Sequence, residues 1–210
     1  MTWIKICGTT NLEDALIAVD AGADALGFVF WEKSPRNVDP SVVRRIVSAL
    51  PGKLEKVGVF VGEPFERVQR IVEEAGLTAA QLHFRNPAMA DWESANFKKY
   101  VVVALCETRS DEAPPRWADA IFLDSGNSQK PGGTGKTFDW QGRAPIAETF
   151  RGNGHKIVVA GGLTPENVGE AIRILEPWGV DVVSGVEAGP GKKDPERIRA
   201  FIEAVKEAKR

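Results

Sequence analysis

Short apolar runs alternate along this chain with stretches in which apolar residues recur every three or four positions, and the alternation continues from end to end. Trp3 to Cys7 is the first run, and period-two alternation sets Trp3, Lys5 and Cys7 on one face of a strand with Ile4 and Ile6 on the other. Thr9-Thr10-Asn11 then supplies a helix N-cap signal, Leu12 to Ala21 carries Leu12, Ala15, Leu16 and Val19 at helical spacing, and Gly22 stops it. Ala25 to Phe30 is apolar throughout, as expected of a strand covered on both faces. A loop over 31–37 precedes Asp39-Pro40, which opens a helix closed by Leu50-Pro51-Gly52.

The same alternation predicts strands at Lys56–Val61, Ala79–His83, Tyr100–Leu105, Ala118–Asp124, Lys156–Ala160 and Val180–Ser184. Helices are expected at Pro64–Ala75, Pro87–Phe97, Asp139–Phe150, Pro165–Leu175 and Asp194–Lys209, while the polar, proline-bearing stretch Glu107–Pro115 makes the fifth helix weak or missing. Eight strands alternating with about eight helical segments argue a parallel sheet, and eight units argue a closed (β/α)8 barrel (TIM barrel) over an open doubly wound sheet. No linker or composition break divides the chain, so 1–210 reads as a single barrel domain.

Composition narrows the function classes. The chain has 210 residues, 43% of them hydrophobic and 27% charged, the profile of an ordinary globular protein. A formal charge of −2 carries no electrostatic footprint for nucleic acid or an anionic membrane. No run reaches transmembrane length and no secretory signal is legible, which predicts a cytoplasmic protein. Cys7 and Cys106 lie far apart in sequence and outside metal-ligand spacing, and with His83 and His155 as the two histidines a metal site is not expected.

The chemistry-bearing residues gather after the strands, at the end where α/β barrels keep their sites. Cys7 ends strand one. An isolated cysteine is more often a buried core residue than a catalyst, but here Asp124 ends strand six, Ala160-Gly161-Gly162-Leu163 follows strand seven and Ser184-Gly185-Val186-Glu187 follows strand eight. A glycine pair alone is usually a turn. Glycines after both strands seven and eight match the recurrent phosphate site of this fold, where backbone N–H groups approach the anion. Pro131 to Thr137 contains Gly132, Gly133 and Gly135 before Lys136-Thr137, but the nucleotide-binding motif needs a glycine where Lys130 stands, so a loop closing over a phosphorylated substrate is the better reading. Arg36, in the loop after strand two, can fork onto a carboxylate or phosphate, although a solvated arginine is the commoner situation. His83 and Gln81 point inward by alternation, His83 being either a substrate contact or a hydrogen-bonded structural residue. Trp3 and Trp31 either flank an aromatic ligand or fill core.

Taken in order, Lys5-Ile6-Cys7-Gly8, Gln81-Leu82-His83, Leu123-Asp124-Ser125, Gly132-Gly133-Thr134-Gly135, Ala160-Gly161-Gly162-Leu163, and Val180-Asp181 running on to Ser184-Gly185-Val186-Glu187 resemble the phosphoribosylanthranilate isomerases of tryptophan biosynthesis. The resemblance implies a (β/α)8 barrel that converts N-(5′-phosphoribosyl)anthranilate to 1-(o-carboxyphenylamino)-1-deoxyribulose 5-phosphate by a cofactor-free Amadori rearrangement, as a monomer or homodimer. It further implies Cys7 as general base, Asp124 as general acid, Arg36 on the anthranilate carboxylate, and His83, Gly133, Gly161, Gly162, Ser184 and Gly185 among the substrate contacts. Two positions depart from the family pattern: Phe84 stands where glycine is usual after the histidine, and Val183-Ser184 stands for a serine pair. Val183 is expected to face the helices, leaving Ser184 inward. The alternatives are another aminoaldose-phosphate isomerase, for which a carboxylate in place of Cys7 would be expected, and a non-catalytic barrel that binds a phosphorylated metabolite.

Overall fold

The computed structural model describes residues 1–83, 100–106, 118–125 and 137–208. The expected helix at 87–97, the stretch 107–115 and the loop holding Gly133 lie outside the described residues. Eight parallel strands, β1 (Trp3–Cys7), β2 (Ala25–Val29), β3 (Glu55–Val61), β4 (Ala79–His83), β5 (Tyr100–Cys106), β6 (Ala120–Asp124), β7 (Lys156–Val159) and β8 (Gly179–Val182), pair in sequence order. The sheet closes where β8 returns to β1, with Trp3 opposite Gly179 and Lys5 opposite Asp181. Six described helices run between and after the strands: α1 (Leu12–Ala21), α2 (Pro40–Ser48), α3 (Phe65–Ala75), α4 (Trp140–Gly152), α5 (Val168–Leu175) and α6 (Pro195–Glu207). Among the described residues no helix is long and apolar enough to cross a membrane.

The helix starts follow local chemistry. Asn11 accepts a hydrogen bond from the Asp14 N–H, Asp39 from Ser41 and Asp194 from Glu196 and Arg197, and Pro40 and Pro195 occupy first-turn positions where no N–H is needed. Gly22 and Gly76 end α1 and α3 in the left-handed conformation.

Two packing layers divide the work. Outward residues of the strands, such as Ile4, Ile6, Leu26, Phe28 and Val180, pack on Ala15, Val43, Val68, Ile172 and Phe201 of the helices in one continuous core. Burying side chains of this size contributes about 1.5–3 kcal/mol each, so this outer shell carries the stability. The barrel interior is packed in smaller groups. Trp3 stacks on Trp178 with ring centroids 5.0 Å apart at the N-terminal end, next to Phe122 and Val158, while Cys7, Val29 and Val59 sit with Trp31 and Val183 at the other. Stability supplied by the outer shell leaves the C-terminal mouth free to hold polar groups.

Strand eight corrects one expectation. It begins at Gly179 and ends at Val182, so Gly179, Asp181 and Val183 share the inner face while Val180 and Val182 pack on the helices. Val183 therefore joins Cys7 inside the mouth. Ser184 is not an inward strand residue but opens a 3₁₀ turn, Ser184–Val186. With a side-chain period of two, a one-residue error of phase exchanges the faces of the whole strand. A two-stranded hairpin, β9 (Glu187–Gly189) and β10 (Lys192–Lys193), follows the turn and leads into α6.

Candidate active site

Cys7 closes β1 with its thiol buried inside the mouth. Two residues earlier on the same face, Lys5 is wholly buried and donates from Nζ to Asp181 Oδ1 at 2.8 Å, with its ammonium 5.3 Å from the Phe122 ring centroid. Burial opposes that charge, but Asp181 and Cys7 outweigh it, and the Lys5 pKa stands above its ordinary value. Gly27, opposite Cys7 on β2, makes the arrangement possible: a Cβ there would lie 2.5 Å from Cys7 Sγ and 3.0 Å from Lys5 Cε. Thiol and lysine stem thus meet across the space a side chain would fill. Burial pushes the Cys7 thiol above its ordinary value, with Asp181 adding to the rise, while Lys5 and Lys193 pull the other way.

Arg36 reaches the same end of the barrel. Its stem crosses the left-handed Gly8, where an added Cβ would meet Arg36 Cδ at 3.0 Å, placing the guanidinium one residue beyond the thiol. Glu187, at the start of β9, accepts from Arg36 Nε at 3.0 Å and Nη2 at 2.6 Å. The same carboxylate accepts from Lys193 Nζ at 3.2 Å and the Gly191 N–H at 3.3 Å. Burial would raise the Glu187 carboxyl, but Arg36 and Lys193 hold it below its ordinary value. The buried Lys193 ammonium also donates to the carbonyl oxygens of Cys7 at 2.5 Å and Val183 at 3.2 Å. The hairpin after β8 therefore straps the ends of β1 and β8 together.

Asp124 ends β6 on the face of the interior Phe122 and is buried beside Ser125. Gly161 takes a left-handed conformation against Ser125, whose side chain and N–H occupy the space of a Cβ, so the loop after β7 is seated directly on the residue following Asp124. Asn167 shapes the rest of that loop, accepting from the Thr164 N–H at 2.8 Å and donating to Gly162 O at 2.9 Å. This turn occupies the place of the first helical residues expected after Pro165, and α5 starts only at Val168. Gly185 packs so closely on Leu163 O that no side chain fits, and the two loops border an open cleft of about 380 Å³ lined by Gly162, Thr164, Glu166, Ser184, Gly185 and Arg197, among others. Backbone N–H groups from glycine turns and a nearby arginine suit an anion such as a phosphate monoester.

His83 closes β4 with its Nε2 3.1 Å from Gln81 Nε2, both side chains buried inside the barrel as alternation predicts. Burial, with Lys5 repelling a second cation, lowers its pKa to about 4, so the ring is neutral at physiological pH.

The structure thus brings Cys7, Arg36 and His83 to the mouth with Asp124, and Gly161, Gly162, Ser184 and Gly185 to the adjoining loops. Gly27 and Lys193 are not singled out from sequence, and Glu187 enters there only as the last residue of the motif after strand eight. Gly27 is detectable in principle as a glycine inside an apolar strand, a sign of close approach. Lys193 carries no local mark of burial, since Lys192-Lys193-Asp194 reads as solvated surface.

Comparison with known proteins agrees along the whole chain. The family model described as N-(5'phosphoribosyl)anthranilate (PRA) isomerase matches residues 4–204. The N-(5'-phosphoribosyl)anthranilate isomerase of Pelobacter propionicus is 45% identical over 212 residues, covering 100% of this chain and 98% of that protein. The crystal structure of phosphoribosyl anthranilate isomerase from Thermotoga maritima superposes with a TM-score of 0.86 at 41% identity, covering 99% of this chain and 100% of the other. A phosphoribosyl anthranilate isomerase in complex with reduced 1-(o-carboxyphenylamino)-1-deoxyribulose 5-phosphate superposes at 0.81 and 39% identity over the same shares of the two chains. With a thiol, a carboxylate and two anion-suited loops at one barrel mouth and these relatives along its length, the chain belongs to the N-(5'-phosphoribosyl)anthranilate isomerase family.

Proposed function

We propose that this chain isomerises N-(5′-phosphoribosyl)anthranilate to 1-(o-carboxyphenylamino)-1-deoxyribulose 5-phosphate, with Asp124 as general acid and Cys7 as general base. The observation that carries the reading is the placement of these two groups, on the inner faces of β6 and β1 at the same end of the barrel, between a buried ammonium and the two glycine loops. Ring opening comes first. The amine lone pair expels the furanose oxygen from C1, the Asp124 carboxyl gives that oxygen its proton, and an iminium remains. The Cys7 thiolate then takes the proton from C2, which the iminium has acidified, and the electron pair of the C–H bond neutralises the nitrogen as an enolamine. Tautomerisation of the enolamine places a proton on C1 and leaves the ketone at C2.

Electrostatics decide which form of Cys7 acts. Burial favours the protonated Cys7 thiol, and the competent species is its thiolate fraction. Lys5, whose charge Asp181 supports against burial, favours that fraction, and the iminium adds a second positive charge during the step that needs it. Arg36, crossing Gly8, receives the anthranilate carboxylate, and Gly162, Ser184 and Gly185 of the cleft receive the phosphate, with Gly161 seating their loop on Ser125 and Gly133 belonging to a loop outside the described residues.

Initial rates of anthranilate-type fluorescence loss, read against buffer with freshly prepared substrate, test the reading. Wild type should turn over, and Cys7→Ala and Asp124→Asn should each lose about 10²–10⁴ in kcat while still binding a phosphorylated product analogue. Wild-type rates in both variants would remove the role assignments, and binding without turnover by wild type would favour a non-catalytic metabolite-binding barrel.

A further inference from the structure

A solvated arginine can bind any anion by swinging to meet it. Arg36 cannot swing. Its Nε–H and one Nη2–H are held by the two oxygens of Glu187, whose side chain is only 3% exposed. Glu187 is itself pinned through Oε1 by Lys193 and by the Gly191 N–H, so four donors converge on its carboxylate, three of them on Oε1. A guanidinium has five N–H groups, and this grip leaves the end formed by Nη1 and the second Nη2 hydrogen, which have no partner among the described residues. That end matches a planar carboxylate approaching head-on, and because the arginine is already ordered, little conformational freedom is lost on binding.

We propose that Glu187 is a positioning residue for substrate-carboxylate recognition: it aims the free end of the Arg36 guanidinium at the aryl carboxylate and, by gripping Lys193 as well, ties that receptor to the strand end carrying Cys7. The proposal rests on Arg36 being the carboxylate receptor. It adds that selectivity comes from the fixed direction of the arginine as well as from its charge, the one Glu187 carboxylate being shared between Arg36 and Lys193. The mechanical link runs from Glu187 through Lys193 to the carbonyl oxygens of Cys7 and Val183, so the distance from receptor to base is set by one carboxylate. Tethered in this way, the substrate's C2 can be presented to the thiol in the same place at each turnover.

The test measures binding of two probes, the reduced product analogue and the same compound without its carboxyl group, to wild type, Glu187→Gln, Glu187→Asp, Arg36→Gln and the Arg36→Gln/Glu187→Gln double variant. Wild type should prefer the carboxylated probe. Glu187→Gln should reduce that preference by about tenfold or more, with affinity for the decarboxylated probe within about threefold of wild type. Glu187→Asp, which keeps the charge but withdraws it by one methylene, should fall between. Adding Glu187→Gln to Arg36→Gln should change the preference no further, because the effect passes through the arginine. An unchanged preference in Glu187→Gln, with or without a lower melting temperature, would overturn the proposal, as would failure of both Glu187 variants to fold. If Arg36→Gln retains the preference, the carboxylate reading of Arg36 fails instead, and the two failures are told apart.

Discussion

Gly27→Ala is the smallest change that probes the proposed base. Gly27 has no left-handed backbone, so alanine meets no conformational barrier and gains about 0.4–1 kcal/mol by restricting the unfolded chain. Against that, the new methyl would stand 2.5 Å from Cys7 Sγ and 3.0 Å from both Cys7 Cβ and Lys5 Cε. Non-bonded heavy atoms settle at about 3.5–4.0 Å, so the thiol must retreat by roughly 1 Å. Overpacking of this kind costs about 1–3 kcal/mol against that gain, so Gly27→Ala should be destabilised by up to about 2.6 kcal/mol in urea unfolding. Activity should suffer more, since displacing a reacting group by about 1 Å costs about 10²-fold in kcat. The control is Cys7→Ala/Gly27→Ala, in which the main clash partner is gone and most of the stability cost should disappear. Wild-type kcat in Gly27→Ala, or an equal stability cost with and without the Cys7 sulfur, would refute the reasoning that the thiol occupies this space.

Two further outcomes follow from the buried charges. His83 is held neutral, with a pKa of about 4 against 6.5 when unfolded, so the unfolded chain binds the extra proton between those values. Its contribution is complete above about pH 6.5 and is lost as pH falls toward 4, amounting to about 3 kcal/mol; His83→Gln should flatten the pH dependence of unfolding free energy in that window, and an unchanged slope would show that His83 is protonated in the fold. Lys5→Met removes the cation that lowers the Cys7 thiol and leaves Asp181 to raise it further, so the rise of kcat/KM with pH should move to more alkaline pH, with at least about a tenfold loss at neutrality. A pH profile coincident with wild type would show that Lys5 does not act on the base.

Much of this site is written in local pattern. Alternation in Trp3–Cys7 placed Lys5 and Cys7 inward, and the same rule placed Gln81 and His83. It failed at strand eight because Val180, Val182 and Val183 are equally apolar, and only pairing with β1, Asp181 opposite Lys5, chooses the phase. The start of α5 was misplaced for a related reason: Thr164-Pro165 is a sound helix opening, but Asn167 ties the loop to Gly162 O and delays the helix. Caps and stops elsewhere, at Asn11, Gly22, Asp39 and Asp194, act within a few residues and were legible for that reason.

The periodicities determined that this chain makes eight strands, with helices between them, and that its strand ends carry a thiol, a carboxylate and glycine turns. Closure of the sheet decided the rest. It brought Asp181, 176 positions from Lys5, under the thiol, and it carried Glu187 and Lys193 back across the mouth to Arg36 and Cys7. Side-chain period is a local property that sequence exposes directly, whereas which buried charges meet depends on barrel register and on a hairpin that carries Glu187 and Lys193 back to the strand ends.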